Sequence, residues 1–345
     1  MNKYKLIPVV FLIIIAASAI FLLRTPSRVK PQTVSPAYKI SPTPFPFMEL
    51  TVEYLRQRSF DSSIGKLDKI NEGNDYISYQ TSYDSDGLKV NALLTEPKGE
   101  NPAGGWPAVI FIHGYIPPKE YRTQVNYQSY VDYLAGNGLA VFKIDLRGHG
   151  TSQGDPGGAY YSSDYVIDTL NGYQALKNIP FINPDKIGLW GHSMAGNVVL
   201  RSLVVRPEIP AAVVWAGAVY SYADFARYGI ADSSYQPPQS NVERVRRRRE
   251  LFLVYGEPKN GHPFWKLVAP TSFLDDLEGA IQIHHAQDDN VVDIGYSRNL
   301  IKLLHDAKIP SELNEYQSGG HNLTGSTFSQ AMQKTVDFYR KYLTD

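Results

Sequence analysis

The stretch that decides the fold is Lys186-Ile187-Gly188-Leu189-Trp190-Gly191-His192-Ser193-Met194-Ala195-Gly196. It passes from an apolar strand through a tight turn into an apolar helix. Small residues on both sides of Ser193 let strand and helix pass close together, and the strained turn points the serine hydroxyl out of the sheet. Ala195 replaces the second glycine of Gly-x-Ser-x-Gly with the next smallest residue. Ser193 is therefore a candidate nucleophile with Gly191 as motif support, and a helix N-cap serine is the structural alternative.

The chain around this stretch alternates between apolar strands and helical segments. Strands are predicted at Ala108 to Ile112, Ala140 to Ile144, Lys186 to Trp190, Ala211 to Trp215, Ala280 to His284 and Ser311 to Tyr316. Helices are predicted at about 124–135, 163–176, 195–205, 294–305 and 326–342. A hairpin from Tyr76 to Leu94 turning at Asp84 to Gly87 precedes them. This order predicts an α/β fold with a mainly parallel sheet and helices on both faces.

Two residues much later in the chain, Asp288 and His321, complete a possible catalytic group with Ser193. Asp288 follows the late apolar strand that ends at His284, and His321 lies in a Gly-rich loop between the last strand and the last helix. A serine hydroxyl needs a base to take its proton, and the base works best when a carboxylate fixes its tautomer. The order Ser193, Asp288, His321 matches the order of such groups in one class of hydrolase. Asp289 is the alternative acid. The structural alternative for Asp288 is a cap of the following helix, and that for His321 is an ordinary loop residue.

Hydrolysis through a tetrahedral intermediate also needs donors for its oxyanion. The backbone N–H of Met194, directly after the nucleophile, is the first candidate. The second should come from the loop after the strand that ends at Ile112, where His113-Gly114-Tyr115 stands. Gly114 permits close approach of the backbone, and His113 is interpreted as shaping this loop.

The N-terminal residues predict a membrane anchor followed by a stalk. Residues 6–23 form an uncharged apolar run, about 27 Å long as a helix, which is close to the thickness of a bilayer core. We expect residues 1–24 to be a single-pass anchor, with a cleaved signal peptide as the alternative, and the enzyme to lie outside the cytoplasm. Pro, Ser and Thr dominate the stalk at 25–47, and a short connecting segment follows at 48–73. The catalytic domain is expected at 74–345.

Composition excludes several other classes of function. Lys and Arg total 34 and Asp and Glu total 34, so no net charge favours nucleic acid. There are no cysteines, which removes thiolate chemistry and Cys-based zinc sites. His284 and His285 are neighbours on a strand and should point to opposite faces, which argues against a shared metal. No cofactor motif is present, so we expect neither cofactor nor metal.

A long segment at 220–278 should fold as a helical insertion before the acid strand. One likely helix in this segment holds five arginines, Arg244 and Arg246 to Arg249, which favour an exposed charged helix face over a site for anions or lipid headgroups. Glu243 and Glu250 are candidates for binding a substrate amine, with solvated helix positions as the equal alternative.

Several of these motifs together resemble the α/β-hydrolase superfamily. They are the Ser193 stretch, Asp145-Leu146-Arg147-Gly148-His149-Gly150-Thr151-Ser152, His113-Gly114, the Asp288 segment and Gly320-His321. Asn183 to Gly188 and Ala269-Pro270-Thr271-Ser272 look most like the catalytic domain of the prolyl oligopeptidase family of serine peptidases. The resemblance covers about residues 74–345. It implies the triad Ser193, Asp288 and His321 and, for some members, a tyrosine hydroxyl in the oxyanion hole, where Tyr115 would stand.

The resemblance implies a serine hydrolase that works through an acyl-enzyme. Peptidases of this family usually carry a β-propeller before the catalytic domain, and too few residues precede Tyr76 to form one. Relatives without a propeller include esterases and dienelactone-hydrolase-like enzymes. We therefore expect cleavage of short peptides, with carboxylic esters as the alternative and an inactive binding protein as the non-enzymatic alternative.

Overall fold

The computed structural model describes residues 45–232 and 242–344. Within them lie nine β-strands: β1 Asp68–Glu72, β2 Tyr76–Ser85, β3 Leu88–Pro97, β4 Trp106–Ile112, β5 Ala140–Ile144, β6 Ile182–His192, β7 Ala211–Trp215, β8 Ala280–Ala286 and β9 Ser311–Tyr316. The same residues contain nine α-helices: α1 Val52–Gln57, α2 Gln128–Gly136, α3 Asp164–Leu176, α4 Ala195–Val205, α5 Tyr222–Tyr228, α6 Val242–Tyr255, α7 Phe264–Val268, α8 Gly295–Asp306 and α9 Ser326–Leu343. Every strand and helix predicted after the hairpin is present.

The nine strands form one sheet in the order β1-β2-β3-β5-β4-β6-β7-β8-β9. The first four in this order pair antiparallel, and the six from β5 to β9 pair parallel. The turn between β2 and β3 uses Asp86 and Gly87, both with positive φ. The prediction of a mainly parallel sheet is confirmed.

Both faces of the sheet are covered because the central strands are apolar on both sides. In β4, Val109 and Phe111 join one buried cluster, which includes residues of α2 and α9. Ala108, Ile110 and Ile112 point the other way, into the cluster with α3, α4 and α8. This alternation follows from the two-residue period of a strand. The carboxyl ends of β4, β6, β7, β8 and β9 therefore open at one edge, where ligands bind in such sheets.

The described part of the predicted insertion, residues 220–232 and 242–278, contains helices and follows β7. Its helices α6 and α7 share an aromatic and aliphatic cluster with the segment at 45–50, in which Leu50 and Leu251 are buried. The ring of Tyr255 stacks on that of Phe264 at 3.9 Å between centroids. Arg201 of α4 also reaches this segment, where its guanidinium donates to the carbonyl of Leu50 at 2.9 Å.

The arginines of α6 are used mainly to hold the insertion in place. Arg244 donates to the carbonyl of Pro156 at 3.0 Å. Arg247 pairs with Glu49 of the N-terminal segment. Arg248 lies over the rings of Tyr161 and Phe252 at 4.6 and 5.3 Å. These contacts give the arginines a structural use in place of a shared anion site.

The expectation of a membrane anchor is corrected here. Residues 1–24, to which it was assigned, lie outside the described residues, as do 25–44 of the stalk. Within the described part of the chain, no helix combines the length and the apolar character needed to cross a bilayer. The membrane-bound, extracytoplasmic assignment is therefore withdrawn.

Candidate active site

Ser193 lies on a strained turn between β6 and α4. Its φ is 57°, a conformation that costs an ordinary L-residue about 1–2 kcal/mol. Its N–H donates to the carbonyl of Trp215 at 2.9 Å, and its carbonyl accepts from Gly196 at 2.9 Å and from Ala218 at 3.2 Å. Three backbone hydrogen bonds thus hold the serine in this conformation.

The small residues around Ser193 are required by crowding. A Cβ on Gly191 would lie 2.7 Å from Cγ2 of Val199, and one on Gly196 would lie 2.7 Å from the Cα of Gly217. Real Cβ contacts are not that short, so larger residues would push the helix away from the strand. The close approach of strand and helix therefore requires glycine at positions 191 and 196, and the small side chain of Ala195 fits beside Gly191.

The structure joins His321 to Asp289, the alternative acid. Nδ1 of His321 lies 2.8 Å from Oδ2 of Asp289. Asp288 is exposed and accepts from the N–H of Gly320 at 2.8 Å and of Gly319 at 3.3 Å. The expectation that Asp288 orients His321 is therefore corrected. Asp288 instead supports the backbone of the loop that carries His321.

Both carboxylate oxygens of Asp289 have close polar contacts. Oδ1 accepts from the N–H of Val291 at 2.8 Å and of Val292 at 3.0 Å. Oδ2 lies 3.2 Å from Nε2 of His285, in addition to its contact with His321. Burial by itself would raise the pKa of Asp289, but the hydrogen bonds from His285 and His321 outweigh it and hold the pKa well below its usual range. The side chain is consequently an ionised carboxylate facing two imidazoles.

An ionised carboxylate fixes the tautomer of His321. Because Asp289 only accepts, Nδ1 of His321 carries the hydrogen, and Nε2 of the neutral ring keeps its lone pair. The ring of His321 lies 4.6 Å, between centroids, from that of His192, the residue before Ser193, and the two rings are tilted by 42°. Ser193 Oγ makes no hydrogen bond with any described residue. Such contacts are often long before substrate binds.

The two oxyanion candidates lie at the start of α4 and on the loop after β4. Met194 stands immediately before α4, so its N–H lies at the positive end of a helix of 11 residues. On the loop after β4, Nδ1 of His113 lies 2.7 Å from the carbonyl of Gly114. This contact orients the peptide between Gly114 and Tyr115, and the N–H of Tyr115 points opposite to that carbonyl because the peptide is trans. His113 thus shapes the loop, while Tyr115 is half-buried.

Two residues near the site were not identified from the sequence. Oη of Tyr127 lies 2.8 Å from Nδ1 of His192 and accepts from the N–H of Gly114 at 3.0 Å. Nε2 of His192 lies 2.9 Å from the carbonyl oxygen of His321. His192 precedes the nucleophile in the chain, but Tyr127 is 65 residues away and no spacing connects the two.

The remaining polar candidates have other contacts. Glu243 and Glu250 pair with Arg246 on the exposed face of α6, at 2.5 and 3.7 Å, which agrees with solvated helix positions. His284 and His285 bond to separate partners, Tyr316 and Ser297. No group of three potential metal ligands occurs among residues 45–232 and 242–344.

The fold and the elbow together define a class of protein. A mainly parallel sheet with a strained serine after β6, and a carboxylate and a histidine after β8 and β9, is the architecture of the α/β-hydrolases. The chain has the α/β-hydrolase fold.

Comparisons with known proteins are in line with this class. Residues 107–238 match the family described as Serine aminopeptidase, S33. The chain is 25% identical over 270 residues to YuxL of Bacillus subtilis, described as an uncharacterized peptidase, covering 76% of this chain and 37% of that relative. It spans 37%, 38% and 51% of the length of three curated relatives that it matches.

Two solved structures show the same fold at low identity. Dipeptidyl peptidase 4 of Porphyromonas gingivalis has a TM-score of 0.58 and 19% identity, covering 78% of this chain and 36% of that one. Acetyl xylan esterase 1 from Thermoanaerobacterium has a TM-score of 0.58 and 18% identity, covering 84% and 93%. The fold is thus similar to that of a peptidase and of an esterase.

Proposed function

We propose that the chain hydrolyses short peptides through an acyl-enzyme on Ser193, with His321 as the base and Asp289 as its orienting carboxylate. The observation that supports this most is the 2.8 Å contact between His321 and Asp289, together with the contact of the His321 ring with His192, the residue before the strained Ser193 (φ 57°). A carboxylate that fixes the Nδ1–H tautomer leaves Nε2 available for the serine proton, which is the requirement for activating a hydroxyl.

In acylation, Nε2 of His321 takes the proton as Ser193 Oγ attacks the substrate carbonyl. The imidazolium that forms faces ionised Asp289, which stabilises it without taking its proton. The oxyanion accepts from the N–H of Met194 and from Tyr115 on the loop after β4. The same proton then passes from Nε2 to the leaving group as the carbon–nitrogen or carbon–oxygen bond breaks.

Water completes the cycle by the same groups. His321, neutral again, takes a proton from water as the oxygen attacks the ester bond to Ser193. The second oxyanion is bound by the same donors, and Ser193 leaves with the proton from His321. Each turnover therefore consumes one water and returns the enzyme to its starting protonation state.

Short peptides are the proposed substrates because the matched family and the relative YuxL are described as peptidases. Carboxylic esters are the alternative, favoured by an esterase of similar fold whose chain is covered to 93%. The two substrate classes differ in how much their leaving groups depend on proton transfer from the enzyme. An amine leaves only when His321 protonates it, whereas the leaving group of an activated ester departs with little protonation, so that His321 is needed there mainly to activate Ser193.

The test compares turnover of aminoacyl and dipeptidyl anilides with that of short-chain acyl esters, using the full chain. Ser193→Ala is the blank and should lose at least about 10⁴-fold in kcat. Anilide cleavage that disappears in this variant would support the peptidase assignment. Ester turnover alone would move the assignment to a carboxylesterase. Full turnover by Ser193→Ala would contradict the mechanism, and no turnover of either substrate class by the wild type would favour a binding protein.

A further inference from the structure

The contacts around His192 connect three parts of the site that the proposed mechanism treats separately. They are the loop after β4 that carries Gly114, the elbow that carries Ser193, and the loop after β9 that carries His321. His192 is 3% exposed, and it contacts Tyr127 on one side and the backbone of His321 on the other. We call the group Gly114, Tyr127, His192 and His321 the Tyr127–His192 bridge.

Each hydrogen of the bridge is fixed by its partner. The carbonyl of His321 only accepts, so Nε2 of His192 carries a hydrogen. Burial lowers the pKa of His192 to about 3, which keeps the ring neutral and leaves Nδ1 as an acceptor. Tyr127 must then donate its hydroxyl hydrogen to Nδ1, and its oxygen accepts from the N–H of Gly114. All the bonds have one consistent direction, so the bridge holds one geometry.

The backbone of Tyr127 indicates that this side chain is needed where it stands. Tyr127 has φ 61° at the start of α2, a conformation that is unusual for a bulky residue and that glycine or asparagine would adopt more easily. Strain of this kind persists where the surroundings determine it, and it is found most often near functional sites. The ring packs edge-on against Phe111 at 5.3 Å and Trp190 at 6.2 Å.

The bridge leaves no room for a side chain at position 114. A Cβ at this position would lie 2.8 Å from Oη of Tyr127 and 3.0 Å from Nδ1 of His192. The N–H of Gly114 is already used by Tyr127, so it is not available to an oxyanion. Tyr130, one turn along α2, adds a parallel contact because its hydroxyl donates to the carbonyl of Asn322 at 3.1 Å. The start of α2 therefore supports both the oxyanion loop and the His321 loop.

We propose that Tyr127 and His192 are positioning residues that set the oxyanion loop and the His321 loop relative to the Ser193 elbow. This inference rests on the proposed function of Ser193, His321 and Met194. Neither Tyr127 nor His192 exchanges a proton with the substrate. Their effect should appear in kcat, because misplacement of reacting groups by about 1 Å can cost about 100-fold in rate.

The first variant is Tyr127→Phe, which keeps the ring packing and removes only the hydroxyl. We expect kcat for the better substrate to fall about 10- to 100-fold with KM within about 2-fold of wild type. The matched control is Tyr133→Phe, which removes a hydroxyl from the same helix where it contacts Gln333 at 3.0 Å. It should change kcat less than about 2-fold, since Gln333 lies on the exposed side of α9.

A second variant tests whether the contacts act as one group. His192→Gln keeps an N–H able to reach the carbonyl of His321 but lacks the Nδ1 acceptor for Tyr127. Because both variants remove the same hydrogen bond, the double variant should be no more than about 3-fold slower than the slower single variant. Independent structural effects would multiply. If His192→Gln does not fold, the comparison of Tyr127→Phe with Tyr133→Phe still decides the question.

Rates are normalised to active sites titrated with an alkyl phosphonate, and urea unfolding is measured in parallel. A merely structural role would lower the unfolding midpoint or the number of titrated sites and leave kcat per site unchanged, and that result would overturn the inference. So would an unchanged kcat in Tyr127→Phe. If Ser193→Ala turned over substrate as fast as the wild-type protein, that result would instead contradict the proposed function, and with it the positioning role of the bridge. A normal wild type with an unaffected Tyr127→Phe contradicts the bridge alone.

Discussion

Asp288 and Asp289 are neighbours in the chain with different surroundings. The side chain of Asp289 is fully buried and accepts hydrogen bonds from two histidines and two backbone N–H groups. Asp288 is exposed and accepts only from the backbone of the His321 loop. Buried Asp289 therefore fixes the tautomer of His321 and stabilises its protonated form. Exposed Asp288 instead helps to fix the backbone of the loop.

The two aspartates should therefore differ strongly on substitution by asparagine. Asp289→Asn presents an amide N–H to His321, favours the wrong tautomer and should lower kcat by about 10⁴-fold. Asp288→Asn keeps an oxygen that accepts from Gly320 and should cost less than about 10-fold. The measurement is kcat on an activated ester, with urea unfolding to confirm that both variants fold. Equal losses, or a larger loss for Asp288→Asn, would contradict the assignment of the acid.

At the scale of elements, strands were predicted well because their signal is local. Ala140–Ile144 and Ala211–Trp215 have the predicted bounds, since a strand buried on both faces is a continuous, mainly apolar run in the sequence. Ser311–Tyr316 also has its predicted bounds, although it is a largely polar strand at the edge of the sheet. β6 extends beyond its prediction because it includes the polar residues at 183–185 that precede Lys186. Local pattern identifies an element, and pairing with neighbours determines its length.

Loops were predicted less well, because their side chains are placed by partners distant in sequence. Asp288 and Asp289 differ by one position in the turn after β8. Which of them faces His321 depends on the backbone conformation of that turn, which periodicity does not specify. Tyr127 meets His192 across 65 residues, and its φ of 61° has no counterpart in the sequence pattern. The positions of Ser193 and His321 could be predicted because motif and chain order specify them. Their supporting contacts could not.

At the scale of the whole molecule, the fold buries several histidines in the neutral state. Burial lowers the pKa of His149 to about 4 and that of His192 and His284 to about 3, and it lowers that of His113 as well. In the unfolded chain these groups bind a proton near pH 6.5. Below that pH the unfolded state therefore binds more protons than the folded state.

The sign of this difference predicts that stability falls as the pH is lowered from about 6.5 to 5. Each buried histidine contributes a slope of up to about 1.4 kcal/mol per pH unit to the free energy of unfolding. Urea unfolding at several pH values measures the slope. His284→Gln, which lies away from the catalytic loops and replaces one imidazole with an amide that does not titrate, should reduce the slope by about that amount. A free energy of unfolding that is constant over this range would contradict the prediction.

Activation of Ser193 by His321 and Asp289 is tested most directly by covalent labelling of the full chain with an alkyl fluorophosphonate, followed by peptide mass spectrometry. The reagent reacts with a serine only where a base activates its hydroxyl and donors bind the phosphoryl oxygen. We expect one adduct per chain, on Ser193, and labelling that is slowed strongly in Asp289→Asn but only slightly in Asp288→Asn. An adduct on another serine, or none in a wild type that turns over substrate, would contradict this mechanism.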